Sequence, residues 1–159
     1  MKSEYDFKLY GYSNKTPLKT CKEMLEIITK FYSNLNDYNY SDEDCSKWIK
    51  LIRNTKDYHV LLCYKGKTLI GFINYTYMNK DVMLSEVQIR EEYQKKGILK
   101  ELLQEVIKNT KRKKVEYFLG TISKKNINSQ NVFTHIGFKL GEDNFYRISH
   151  DDLVNWVTK

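Results

Sequence analysis

Proline, cysteine and long apolar runs are all scarce in this sequence, and each scarcity excludes something. The single proline, Pro17, is in keeping with a chain that has no proline-rich linker, low-complexity tract or internal repeat. The 159 residues therefore read as one domain, 1–159, long enough to bury a real core. The three cysteines (Cys21, Cys45, Cys63) are odd in number and lack C-x-x-C spacing, so neither a disulfide framework nor a zinc site follows, and a reduced, cytoplasmic setting is expected. No apolar run approaches the ~18 residues of a membrane span, and the opening MKSEYDFKLY lacks a signal-peptide core. Nucleotide and nucleophile signatures are missing too: no G-x-x-x-x-G-K-S/T, no G-x-G-x-x-G with a following acid, and no G-x-S-x-G. His59, His135 and His150 stand far apart without metal-ligand spacing and read as structural or surface residues, so no metal is expected.

Basic charge and aromatic residues are plentiful. Lys+Arg total 27 against 20 Asp+Glu, a net charge of +7, which suits a polyanionic partner: a nucleotide cofactor or a nucleic acid. Thirteen tyrosines within 14% aromatic content argue against disorder.

The stretch around which the chain is organised is Glu92–Leu103, EYQKKGILKELL. It follows the alternating apolar run Val82–Arg90 and opens a pattern of Ile98, Leu99, Leu102, Leu103, Val106 and Ile107 at helical spacing. A strand thus enters a basic glycine turn, and the turn enters a helix. The first amides of a helix lack intrahelical acceptors and lie at the positive end of its dipole. Gly97 lets a ligand approach the backbone, and Lys95, Lys96 and Lys100 add charge. This is a socket for phosphate.

Elsewhere, Glu4–Tyr10 reads as a strand and Pro17–Leu35 as an amphipathic helix with Thr16 as N-cap. Tyr32–Tyr40 reads as a loop, and Ser41 to Asp44 as a capping box. Asp57–Tyr64 and Thr68–Met78 form a hairpin about Lys65-Gly66-Lys67. Val115–Ile122 is a strand, Asn126–Ile136 a helix stopped by Gly137, Phe138–Leu140 with Asn144–Ile148 a final hairpin, and Asp151–Val157 a last helix. Lys111–Lys114 is a solvated helix end or a phosphate grip. The order predicts an α/β (mixed α+β) fold with a mixed sheet and helices on both faces.

Two motifs carry a family resemblance. Tyr93-Gln94-Lys95-Lys96-Gly97-Ile98-Leu99 resembles the pyrophosphate loop of the GNAT acyltransferase superfamily: Arg or Gln, two residues, Gly, one residue, then Gly or Ala. Leu99 departs from its final small residue. Asn126–Phe138, NINSQNVFTHIGF, is similar to a second GNAT motif through Asn126, Ser129, Phe133, Gly137 and Phe138. The resemblance covers essentially the whole chain. It implies a GNAT-like fold, a mostly antiparallel sheet of about six to seven strands that splays between its two central strands.

That resemblance also implies acetyl-CoA as co-substrate, with no metal, and an N-acetyltransferase acting on a primary amine of a small molecule or peptide in a ternary complex. The main chain of Val87, Gln88 and Ile89 would pair with the pantetheine arm, and one amide there would polarise the thioester carbonyl. Gln94 and the amides from Lys95 through Lys96, Gly97, Ile98 and Leu99 to Lys100 would hold the pyrophosphate. Asn126, Ser129 and Phe133 would flank the pantetheine, unless Asn126 is a plain N-cap. Glu86, sharing a strand face with Gln88 opposite Val87 and Ile89, is the candidate general base; a salt-bridged rim residue is its other reading. Phe133 stands where many members place a proton-donating Tyr, so a water or another group supplies the proton or the step needs no acid; Tyr146 is a fallback candidate, its other reading a packed tyrosine. The loop Tyr32–Asp44, mixing tyrosines with Asp37, Asp42, Glu43 and Asp44, suits a cationic acceptor or simply serves the next helix.

Phe133 and Leu99 also suggest an alternative, a catalytically weak acyl-CoA-binding sensor or regulatory module on the same fold. Nucleic acid is disfavoured as a partner, because no binding motif accompanies the basic run. No membrane partner is expected, and a homodimer is left open.

Overall fold

The computed structural model describes residues 3–159. Five helices and seven strands follow the order β1(Asp6–Tyr10), α1(Leu18–Asn34), α2(Asp42–Asn54), β2(Tyr58–Lys65), β3(Thr68–Met78), β4(Asp81–Ile89), α3(Ile98–Thr110), β5(Tyr117–Gly120), α4(Ile127–Ile136), β6(Lys139–Leu140), β7(Tyr146–Ser149) and α5(His150–Val157). One mixed sheet holds all the strands in the order β1-β2-β3-β4-β5-β7-β6. Its pairings are antiparallel except β4 with β5.

Each helix buries the stripe its spacing prescribes. On one face of the sheet, Cys21, Met24, Ile27 and Ile28 of α1 and Ile52 of α2 pack on Val60, Leu62, Leu69 and Phe72. On the other face, Ile98, Leu102, Leu103 and Val106 of α3 and Leu153 and Val157 of α5 pack on Leu61, Ile70, Ile73, Val82, Phe118 and Ile148. Truncating a wholly buried residue such as Leu102 to Ala costs about 2–5 kcal/mol. The capping box at Ser41 is formed in both directions with Asp44, and Gly66 turns the β2–β3 hairpin at φ +60°.

The first helix starts one residue later than the sequence suggests. Pro17, not Thr16, is the N-cap: its carbonyl accepts from the Cys21 amide at 3.0 Å, while the Thr16 hydroxyl is buried without a partner. Tyr32, which the sequence placed in both the helical stripe to Leu35 and the polar stretch Tyr32–Tyr40, lies within the last turn of that helix. The strand expected over Val115–Ile122 shortens to Tyr117–Gly120.

Two features shape the centre of the sheet. The parallel pairing of β4 with β5 stops at Met83 and Leu119, whereas β4 runs on to Ile89, so the strands splay. The β3–β4 register then shifts: Tyr75 faces Leu84 and Asn74 faces Glu86, which leaves Ser85 as the extra residue of a β-bulge. The bulge reverses the face on which side chains emerge. Val82 and Leu84 before it and Val87 and Ile89 after it all reach the α3 side, while Glu86 turns to the α1 side.

Candidate functional site

Glu86 is the focus of the splay. Its Oε1 accepts from the Tyr32 hydroxyl at 3.2 Å, and its Oε2 from Gln88 Nε2 at 3.0 Å. Tyr32 comes from the end of α1, so the bond crosses from helix to sheet. Burial raises the Glu86 carboxyl from the ordinary 4.5 to about 7, against the opposing effect of its two hydrogen bonds. Its edge remains open to a pocket also lined by Ser85, Thr121, Ser123, Phe133 and Tyr146. Burial, then the charge of Glu86, pushes the Tyr32 phenol above its usual range, so that it stays a neutral donor. The same two causes push Tyr40 up to about 12.

Behind Glu86 lies an unusual amide. Asn74 is wholly buried, and neither its Nδ2 nor its Oδ1 has a hydrogen-bond partner. An unsatisfied buried polar group costs about 1–3 kcal/mol.

On the other side of Glu86 a trough of about 370 Å³ runs along β4 to the start of α3. Val87, Gln88, Ile89, Gln94, Lys95, Gly97, Ile98, Leu99, Lys100, Ser129 and Phe133 all line it, joined by Trp156, which the sequence did not single out. Its floor is an open strand edge. The Arg90 amide donates inward to Ile70 O at 2.8 Å, so alternation turns the main-chain groups of Val87 and Ile89 toward the splay. Gly71 of β3 permits this close pairing, because a Cβ there would meet the Gln88 carbonyl at 2.9 Å.

Gly97 forms the mouth of α3. It is the N-cap in the left-handed conformation, φ +82°, and an added Cβ would meet nothing, so the backbone angle itself selects glycine. Among the described residues, the amides of Lys95 to Lys100 donate to no backbone carbonyl, while Gln94 Nε2 ties the loop to Ile89 O at 3.0 Å. Free amides, an open strand edge and an apolar trough together fit a diphosphate with an extended thioester arm. Lys96 does not line the trough; its ammonium stands 5.5 Å over the Tyr93 ring. The Lys100 ammonium donates to the Lys159 carbonyl at 2.7 Å.

Asn126 is the N-cap of α4. Its Oδ1 accepts from the Ser129 amide at 3.0 Å and its Nδ2 donates to Ser129 Oγ at 2.7 Å. The Ser129 hydroxyl thereby keeps its own proton for a partner in the trough. Phe133 lies between pocket and trough, edge-on to Phe138 at 5.2 Å.

Two of the four acids of the Tyr32–Asp44 segment are engaged locally. Asp44 completes the capping box and Glu43 pairs with Lys47 at 3.1 Å. The tyrosines instead cluster, Tyr32 with Tyr40 at 6.2 Å and Tyr38 with Tyr40 at 4.5 Å. Lys125 donates to Asn36 O at 2.9 Å, tying the segment before α4 to the end of α1.

An acetyltransferase (GNAT) domain family model matches residues 21–139. No protein of curated function matches the sequence. Among solved structures, the fold is similar to a GNAT-family acetyltransferase of Staphylococcus aureus Mu50, with a TM-score of 0.73, 18% identity, and coverage of 91% of this chain and 99% of that one. It is also similar to the PaiA N-acetyltransferase of Thermoplasma acidophilum in complex with coenzyme A, with a TM-score of 0.64, 20% identity, and coverage of 91% and 98%. A third is an aminoglycoside acetyltransferase from an uncultured soil metagenomic sample in complex with sisomicin, with a TM-score of 0.62, 13% identity, and coverage of 82% and 86%.

Proposed function

Because this chain belongs to the GNAT acetyltransferase family, we propose that it transfers an acetyl group from acetyl-CoA to a primary amine of a small molecule or peptide, with Glu86 as general base. The observation that carries this reading is the desolvated Glu86 carboxylate, raised to about 7 at the point where strand edge, trough and pocket meet. A base of that strength is half ionised near neutral pH, where proton acceptance is most effective. The coenzyme complex of one structural relative and the aminoglycoside complex of another favour the same pair of substrates.

In this reading the amides around Gly97 hold the pyrophosphate, and the outward main chain of Val87 and Ile89 aligns the pantetheine arm. The acceptor ammonium gives a proton to Glu86. The freed nitrogen attacks the thioester carbon, and a β4 amide stabilises the oxyanion. The C–S bond then breaks, the thiolate leaves, and the nitrogen gives up its second proton, which neutralises the thiolate directly or through solvent. Phe133 has no proton to give; Tyr146, lining the same pocket as Glu86, stands as donor. A thiolate leaves tolerably near neutral pH, so Tyr146 contributes less than Glu86.

The test is acetylation of an amine panel by wild type and Glu86→Gln. Turnover should fall about 100-fold or more in the variant while acetyl-CoA binding persists. No turnover with any amine, or equal rates, overturns it.

A further inference from the structure

Asn74 faces Glu86 directly across the β3–β4 ladder. Residues so opposed share a face of the sheet and stand close together. Yet Asn74 is wholly buried and both ends of its amide lack a partner, at the position where the bulge turns Glu86 toward α1. A β-branched or apolar residue would suit a central strand better. The amide is therefore unexplained by the fold, and it adjoins the one group whose ionisation the site depends on.

The surroundings say what it could hold. Tyr58 of β2, a buried phenol, adjoins Asn74, Ser85 and Glu86. Burial pushes its phenol up to about 12, the polar side chains of Asn74 and Ser85 oppose this, and the charge of Glu86 adds to it. Asn74 and Glu86 face one another with no direct hydrogen bond between them, an arrangement that a water can bridge. A buried water needs two to four such partners, and the two ends of the Asn74 amide, the Tyr58 hydroxyl and the Glu86 carboxylate supply them.

We propose that Asn74 is a positioning residue for Glu86, steadying through one bound water the ionised carboxylate that receives the acceptor's proton. This rests on Glu86 as the base. The titratable groups facing Glu86 are Tyr32 from α1, Tyr40 from the following loop, Tyr58 from β2 and Tyr146 across the pocket. Among the described residues lining the pocket none is a lysine or arginine, so hydrogen-bond donors carry the stabilisation of the charge. Losing one donor shifts the carboxyl upward.

The experiment is a carbon-13 NMR titration of the Glu86 carboxyl in wild type, Asn74→Leu and Asn74→Ala, with thermal unfolding and kcat/KM measured alongside. In the variants Glu86 should titrate roughly one pH unit higher. At neutral pH that leaves about one fifth of the ionised base and a matching fall in kcat/KM. The Tm of Asn74→Leu should change little, because the amide and its water give way to an apolar group of similar size. An unmoved titration overturns the proposal, whatever the activity. So does loss of fold in both variants, which would assign Asn74 to structure alone. A shifted titration in a protein that acetylates no amine sinks the proposed activity and leaves the Asn74–Glu86 coupling standing.

Discussion

Tyr32 and Glu86, 54 residues apart in the chain, meet through a hydroxyl–carboxylate hydrogen bond of 3.2 Å that joins the last turn of α1 to the bulge of β4. The bond stabilises the ionised acid in a site that otherwise disfavours charge. Tyr32→Phe therefore moves the acid limb of the kcat/KM profile upward, by roughly one pH unit. Activity at neutral pH falls several-fold and recovers at alkaline pH. A profile identical to wild type would show that the bond carries nothing.

Stability should respond to Glu86 with a definite sign. Its folded carboxyl is raised to about 7 from 4.5, so the folded state binds a proton that the unfolded chain has lost. Stability from this group is full below about pH 4.5 and is lost as pH rises through about 7. The shift corresponds to at most about 3 kcal/mol, less whatever solvent reaches the open edge. Glu86→Gln removes this dependence and unfolds at a higher temperature than wild type above neutral pH. Melting curves at acid and alkaline pH check it; a variant less stable at alkaline pH contradicts it.

Much of this arrangement was visible in the residue pattern. The Ser41–Asp44 capping box, the hairpin at Gly66 and the buried stripe of α3 follow from local chemistry, and local chemistry can be read from neighbours in sequence. Most of the cofactor residues expected from β4 and the two motifs line one trough, whereas Lys96 and Asn126 do not. The bulge at Ser85 was missed, though a signal existed: apolar positions 82 and 84 shift phase to 87 and 89, which no regular strand would do. The contacts of Glu86 with Tyr32 and Asn74 had no such signal, because they depend on how α1 crosses the sheet and on strand register. Tyr32 belonged both to the helical stripe of Pro17–Leu35 and to the polar stretch Tyr32–Tyr40, because Ser33, Asn34 and Asn36 follow it; packing of α1 on the sheet carries the helix to Asn34.

Gly97→Ala tests the phosphate socket through backbone geometry alone. The added methyl meets nothing, but a left-handed φ costs a non-glycine residue about 1–2 kcal/mol. The helix mouth should relax away from this conformation and weaken acetyl-CoA binding about tenfold, with kcat nearly unchanged. Calorimetric titration with the coenzyme measures it, and an unaltered Kd would remove Gly97 from the socket.

Asn126 separates two roles by choice of substitution. Asn126→Ala loses the cap and about 1 kcal/mol of stability, while Asn126→Asp keeps the acceptor for the Ser129 amide and loses the donor to Ser129 Oγ. If Asn126 and Ser129 also flank the pantetheine, Asn126→Asp raises the KM for acetyl-CoA at near wild-type stability. A normal KM in that variant makes Asn126 a helix cap only.

The most direct measurement is the pH dependence of kcat/KM for acetyl transfer, from about pH 5 to about pH 9, in wild type and Glu86→Gln. Activity should rise through about pH 7 in wild type, and that limb should disappear, with a large loss of rate, in the variant. A wild-type profile flat down to pH 5, or a limb that persists in Glu86→Gln, would contradict it.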